Sequence, residues 1–270
     1  PARYAGENYK AAIVDYVELL HRYGIVPILD LHWVGPGDLL AEQSINLLPM
    51  PSDHSEDLWA DVAERFRDDD GVILEPFNEP FPDSNRDTPE AWACWRDGCD
   101  VSRFDGTLTY TAVGMQALVD AIRDAGSRHV LLLGGVQFSN GLSGWLEHKP
   151  NDPLENLGAA WHIYNNNPCR DIACWNGVPA ELARVVPVVA TEIGQNDCAG
   201  ETFLQPLMNF LDENSAGYLA WSWNANLGCM PTIPRVDEGS PWYLVTDYVD
   251  PQPNSGYAQT FRDHLARVAP

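Results

Sequence analysis

The sequence predicts an α/β fold, a TIM-type (β/α)8 barrel that is incomplete, with about six parallel strands. Three observations predict it. Short, nearly continuous apolar runs such as Ile25-Val26-Pro27-Ile28-Leu29-Asp30-Leu31-His32 read as strands buried on both faces. These runs alternate with segments of helical spacing, as right-handed βαβ units on a parallel sheet require. Long stretches rich in Gly, Pro, Asn and Asp, at 34–54, 81–106, 136–156, 164–177 and 224–250, each follow a strand, and long loops at one end of a sheet build binding sites.

Taken in order, residues 7–23 set Ala11, Ile13, Val14, Val17, Leu19 and Leu20 at helical spacing, with Gly24 as a stop. The strand 25–32 follows. Next come a helix near 55–68, a strand at 71–77, a helix at 107–125 and strands at 129–134 and 157–163. The series continues with a helix at 178–184, a strand at 186–191, a helix at 201–213, a strand at 217–222 and a closing helix at 255–268. All of this fits a single catalytic domain over 1–270.

Composition narrows the partners. Sixteen Lys plus Arg stand against 39 Asp plus Glu, a net charge of -23, and that field repels nucleic acid and anionic membranes. A neutral substrate such as a sugar polymer escapes the penalty. The six cysteines suggest the disulfides Cys94–Cys99, Cys169–Cys174 and Cys198–Cys229 in an oxidised, secreted protein. Zinc is disfavoured, because neither Cys-x-x-Cys nor His-Glu-x-x-His occurs. No apolar stretch approaches the roughly 20 residues that span a bilayer. Pro1 is not an initiator residue, which suggests that a leader or something larger has been removed.

The ends of the strand runs collect the chemistry. His32 and Trp33 follow Leu29-Asp30-Leu31, Asn78 and Glu79 follow Glu75-Pro76-Phe77, and His162 and Tyr164 lie in Ala160-Trp161-His162-Ile163-Tyr164. Glu192 follows Val189-Ala190-Thr191, and Trp221 lies in Ala220-Trp221-Ser222-Trp223-Asn224. Two glutamates at such a rim suit glycosidic bond cleavage with retention, one donating a proton to the leaving oxygen and one attacking the anomeric carbon. That chemistry needs no metal and no organic cofactor. Asn78 is suited to a sugar 2-hydroxyl, and Tyr164 to holding Glu192 through its O–H. Glu75, within its strand, reads as structural, as do Trp59 and Trp92 at helical or pre-helical positions.

The segments Asp30-Leu31-His32, Phe77-Asn78-Glu79-Pro80, His162-Ile163-Tyr164, Thr191-Glu192-Ile193-Gly194 and Ala220-Trp221-Ser222-Trp223-Asn224 resemble, in order, those of family 5 glycoside hydrolases, the cellulase family. The resemblance implies Glu79 as acid/base and Glu192 as nucleophile. It implies His32, Asn78, His162 and Tyr164 as sugar-contacting or orienting groups, and Trp221 as a stacking platform. Trp33 is a further aromatic for a glycan cleft. The implied activity is that of a secreted endo-β-1,4-glucanase, with mannan, xylan or mixed-linkage glucan, or glycan binding without turnover, as alternatives. The chain departs from the family at its start, where two β/α units and a supporting arginine are missing. A sheet edge is then left to be covered by loops or by a second chain, so a homodimer across it is an expected possibility.

Overall fold

The computed structural model describes residues 6–35, 48–103, 106–225 and 242–268. Its helices are α1 (Gly6–Arg22), α2 (Ser55–Phe66), α3 (Pro82–Asn85), α4 (Pro89–Asp97), α5 (Met115–Asp124), α6 (Trp145–His148), α7 (Ile172–Trp175), α8 (Val178–Ala183), α9 (Leu204–Glu213) and α10 (Gly256–Val268). The strands are β1 (Ile28–Asp30), β2 (Ile73–Glu75), β3 (Asp100–Ser102), β4 (Thr109–Thr111), β5 (Val130–Gly134), β6 (Leu157–Tyr164), β7 (Val188–Gly194) and β8 (Gly217–Ala220). Six of them form one sheet in the order β1-β2-β5-β6-β7-β8. β1 pairs with β2, β2 with β5, β6 with β7 and β7 with β8, all in parallel. This is the incomplete (β/α)8 architecture that the alternation predicts.

Two stretches differ from expectation: α4 forms within 81–106, where a loop is expected, and the segment after 107 starts as a strand. The helix expected from 107 starts only at Met115, because Thr109, Tyr110 and Thr111 pair antiparallel with Ser102, Val101 and Asp100. Two β-branched residues around an aromatic favour an extended chain. Gly114 then permits the turn into α5: a Cβ there would lie 2.4 Å from the Arg96 carbonyl oxygen and from Gly98 N.

The chain divides into two compact units, one of residues 1–78, 96–133 and 150–157, the other of residues 79–95, 134–149 and 158–270. In the first unit, α2 buries Trp59, Ala63 and Phe66, spaced by four and three residues on one face. That helix packs against α5, which buries Met115, Leu118, Val119 and Ile122. The Trp59 indole N–H donates to the Pro76 carbonyl at 2.9 Å, so the ring fills the core with its polar atom satisfied. In the last turn of α5, Arg123 forms a buried, two-pronged ion pair with Asp152, Nε to Oδ1 at 2.8 Å and Nη2 to Oδ2 at 3.0 Å.

In the second unit, α9 buries Leu204, Leu207, Met208 and Leu211, and α10 packs along it. His264 of α10 is buried and bonds Asp212 of α9 at 2.8 Å. Trp175 at the end of α7 meets Phe203 and Phe210. The disulfide Cys169–Cys174 is formed. Cys94, Cys99 and Cys198 are disulfide-bonded as well, while Cys229 lies outside the described residues. Among the described residues, no helix is long and apolar enough to cross a membrane.

Candidate active site

The second unit assembles a cluster around two carboxylates. β6 and β7 pair with His162 opposite Glu192 and Tyr164 opposite Gly194. Since side chains alternate along a strand, His162 and Tyr164 share one face, and so do Glu192 and Gly194. His162 is 1% exposed and Glu192 7% exposed.

His162 joins the set together. Its Nδ1 lies 2.9 Å from Glu79 Oε1 and 3.5 Å from Glu192 Oε2. Its Nε2 lies 3.2 Å from Thr191 Oγ1. An N–H at Nδ1 pointing to Glu79 and a lone pair at Nε2 taking the Thr191 hydroxyl proton satisfy both ring nitrogens. The Glu79, His162 and Glu192 atoms lie within 4.8 Å of one another. Such a set could also ligate a cation, but hydrogen bonding to the imidazole already accounts for the closeness.

Tyr164 donates its hydroxyl to Glu192 Oε2 at 2.6 Å. Burial first, and then the Glu192 charge, push its phenol well above the ordinary tyrosine range. It therefore stays protonated and acts as a fixed donor. Gly194 makes room for the ring: a Cβ there would meet Tyr164 Cε1 at 2.4 Å and Trp242 Cδ1 at 3.0 Å. Trp242 meets Tyr164 edge-on, with ring centroids 5.7 Å apart. Tyr164→Phe removes a charge-assisted bond, so kcat/KM is expected to fall about 10–100-fold with the fold intact. Steady-state kinetics beside a thermal melt check this.

The remaining candidates sit as follows. Trp221 continues from β8; its N–H donates to the Ile193 carbonyl at 2.9 Å, and the buried Tyr257 hydroxyl of α10 meets both the Ile193 and Trp221 carbonyls, at 2.8 and 2.9 Å. In the first unit, Asn78 is buried and its N–H donates to the Leu31 carbonyl at 3.2 Å. His32 Nδ1 bonds Asp30 Oδ2 at 2.8 Å, and Trp33 is 56% exposed beside it. Glu75 is buried within β2. Sequence reasoning gave Thr191 and Tyr257 no role. Plain alternation would put Thr191 out of phase with Glu192, but the register of β7 shifts between Ala190 and Ile193, and nothing in sequence pairs a residue of the last helix with two strand-end carbonyls.

The chain is similar to known proteins over most of its length. The family model described as "Cellulase (glycosyl hydrolase family 5)" matches residues 2–227. The chain is 24% identical over 197 residues to a mannan endo-1,4-β-mannosidase of Streptomyces lividans, covering 70% of this chain and 45% of that relative. It is 22% identical over 217 residues to endoglucanase 1 of Robillarda sp. (strain Y-20), covering 71% and 50%. Thus it spans about half the length of these curated relatives. Among solved structures, a β-glucanase from Saccharophagus degradans superposes with a TM-score of 0.67 at 17% identity, covering 98% of this chain and 74% of that one. With the family model spanning most of the chain, and both glutamate segments inside the matched residues, the chain belongs to the cellulase family of glycoside hydrolases, glycosyl hydrolase family 5.

Proposed function

We propose that residues 1–270 form the catalytic domain of a secreted, retaining endo-β-1,4-glucanase that cleaves β-1,4-linked glucan through a glycosyl-enzyme ester on Glu192. The observation that carries this reading is the carboxylate pair, whose oxygens approach within 4.8 Å. Retaining pairs stand about 5–5.5 Å apart, whereas inverting pairs need about 6.5–9.5 Å to admit a water. In the first step a Glu192 oxygen attacks the anomeric carbon as the C–O bond to the leaving sugar breaks, and Glu79 gives that oxygen its proton. In the second, Glu79 takes a proton from water, whose oxygen displaces Glu192 from the anomeric carbon.

The other residues serve binding. Asn78, His32, Trp33 and Trp221 contact the glycan, Trp221 as a platform for a sugar face. The disulfides support secretion, since such bonds persist in oxidising compartments. Mannan is the second reading, favoured by the similarity to the S. lividans mannosidase. Reducing-sugar release from carboxymethyl cellulose and from mannan, by wild type, Glu79→Ala and Glu192→Ala, tests both. Release from cellulose by wild type alone is expected. Release from mannan alone would replace the glucanase reading, and equal rates in all three proteins would remove the hydrolase assignment.

A further inference from the structure

The hydrogen bond between Glu79 and His162 is gripped at both ends by one short turn after β5. Gln137, Phe138 and Ser139 all have left-handed backbones, with φ of 57°, 56° and 58°. Three successive non-glycine residues in that region are unfavourable for L-amino acids, and a strained run of this kind persists only where its surroundings hold it. Here the surroundings are the candidate site. The Phe138 N–H donates to the carbonyl of Pro80, the residue after Glu79, at 3.0 Å. The Ser139 carbonyl accepts the backbone N–H of His162 at 3.0 Å. Asn140 Nδ2 donates to the His162 carbonyl at 2.8 Å.

His162 is thus held through both of its own backbone groups, at a point where the β6–β7 register slips between Ala160 and His162. The extra residue of that bulge lies on β7, where Ala190 and Thr191 face Trp161 alone, and a bulge re-aims the side chains around it. Asn140 answers the His162 carbonyl. It is 2% exposed and fully engaged, its Oδ1 accepting from Cys169 N at 2.9 Å and its carbonyl accepting from the Trp161 indole at 3.1 Å. One buried asparagine is thus tied to the strand residue, to the neighbouring tryptophan and to the disulfide-closed segment at once.

We propose that the turn Phe138–Asn140 positions the acid/base, with Asn140 as the positioning residue that aims the His162 ring at Glu79. The inference rests on the acid/base role of Glu79. Asn140 touches no substrate, so its loss should cost proton donation more than bond formation at the nucleophile.

The test compares Asn140→Ala and Asn140→Asp with wild type on two substrates. Asn140→Asp keeps the acceptor for Cys169 but removes the donor to His162. Cellohexaose needs a proton on its leaving oxygen; 2,4-dinitrophenyl β-cellobioside releases a phenolate that needs none. General acid catalysis is worth roughly 10²–10⁴-fold, and misaiming should forfeit part of it. We expect kcat on cellohexaose to fall about 10–100-fold, while the dinitrophenolate burst rate stays within about threefold of wild type. Equal losses on both substrates, or no loss on cellohexaose, would overturn the inference. Should Asn140→Ala fail to fold, Asn140→Asp carries the comparison. A readout in the free protein separates this inference from the hydrolase reading: the Nδ1 proton of His162, assigned by its loss in His162→Ala, should exchange with water at least about tenfold faster in the Asn140 variants. Unchanged exchange would overturn the positioning role even in an active enzyme. Wild-type inactivity on every glycan would overturn the hydrolase reading and leave the proton exchange to decide on Asn140.

Discussion

Glu192→Ala is expected to lower β-1,4-glucan hydrolysis by about 10⁴-fold or more, almost wholly in kcat, because loss of a covalent nucleophile removes the reaction path and leaves binding in place. Glu79→Ala should behave differently. Its cost on an unactivated glycan is about 10²–10⁴-fold, the worth of general acid catalysis, and it should shrink when the leaving group is an activated phenol. Azide distinguishes the two further. In Glu192→Ala the vacated space lets azide attack the anomeric carbon as the activated phenolate leaves, which gives an α-glycosyl azide. In Glu79→Ala azide enters after the ester on Glu192 has formed, and the product is β. Product anomers read by NMR would assign each glutamate directly, and the reverse assignment of anomers would exchange their roles.

The second large effect concerns stability, at Arg123 and Asp152. Both side chains are buried, 6% and 0% exposed. Arg123 also donates Nη1 to the carbonyls of Ser127 and His129, at 3.2 and 3.0 Å, and Asp152 accepts the N–H groups of Leu154 and Asn156. Each prong is therefore answered, and removing either partner strands a buried charge. Arg123→Ala or Asp152→Ala is expected to cost about 3–5 kcal/mol, measured by urea unfolding with an unchanged m-value. The acid limb gives an independent check. Burial alone would raise the Asp152 carboxyl, but hydrogen bonds from Arg123, Asn156 and Leu154 together with the guanidinium charge outweigh it and hold it below the ordinary carboxylate range. A group depressed in the folded state contributes its stability above the unfolded value and loses it as pH falls towards the folded one. Asp152→Asn should accordingly flatten the loss of stability below about pH 4.

Most of the sheet was legible because buried parallel strands are apolar almost throughout. Ile73-Leu74 and Val130-Leu131-Leu132-Leu133 leave no competing pattern. The α4 segment was not read, although its start is marked: Thr88 Oγ1 caps the Ala91 N–H at 3.1 Å, and Pro89 stands at the first position. The segment falls within 81–106, a stretch whose Gly, Pro, Asn and Asp content reads as a loop although Trp92 sits there at a helical or pre-helical position. The β3–β4 hairpin escaped because Val101 alone is buried across its described positions, which gives little alternation to detect. The glutamates, His162 and Tyr164 stood out as polar residues at the ends of apolar runs. Asn140 did not, since its role depends on three partners brought together only by folding.

One feature of the strand pairing reaches beyond this single chain. His162 and Glu192 occupy one rung of the β6–β7 ladder, and neighbouring strands stand about 4.8 Å apart whatever loops they carry. The distance from Glu192 to His162, the residue that bonds Glu79, is therefore ruled by main-chain hydrogen bonds. Sliding one strand by a residue would turn its whole set of side chains to the opposite face, so the spacing resists gradual drift. Loops at the strand ends can therefore vary while the rung that sets His162 opposite Glu192 stays in place.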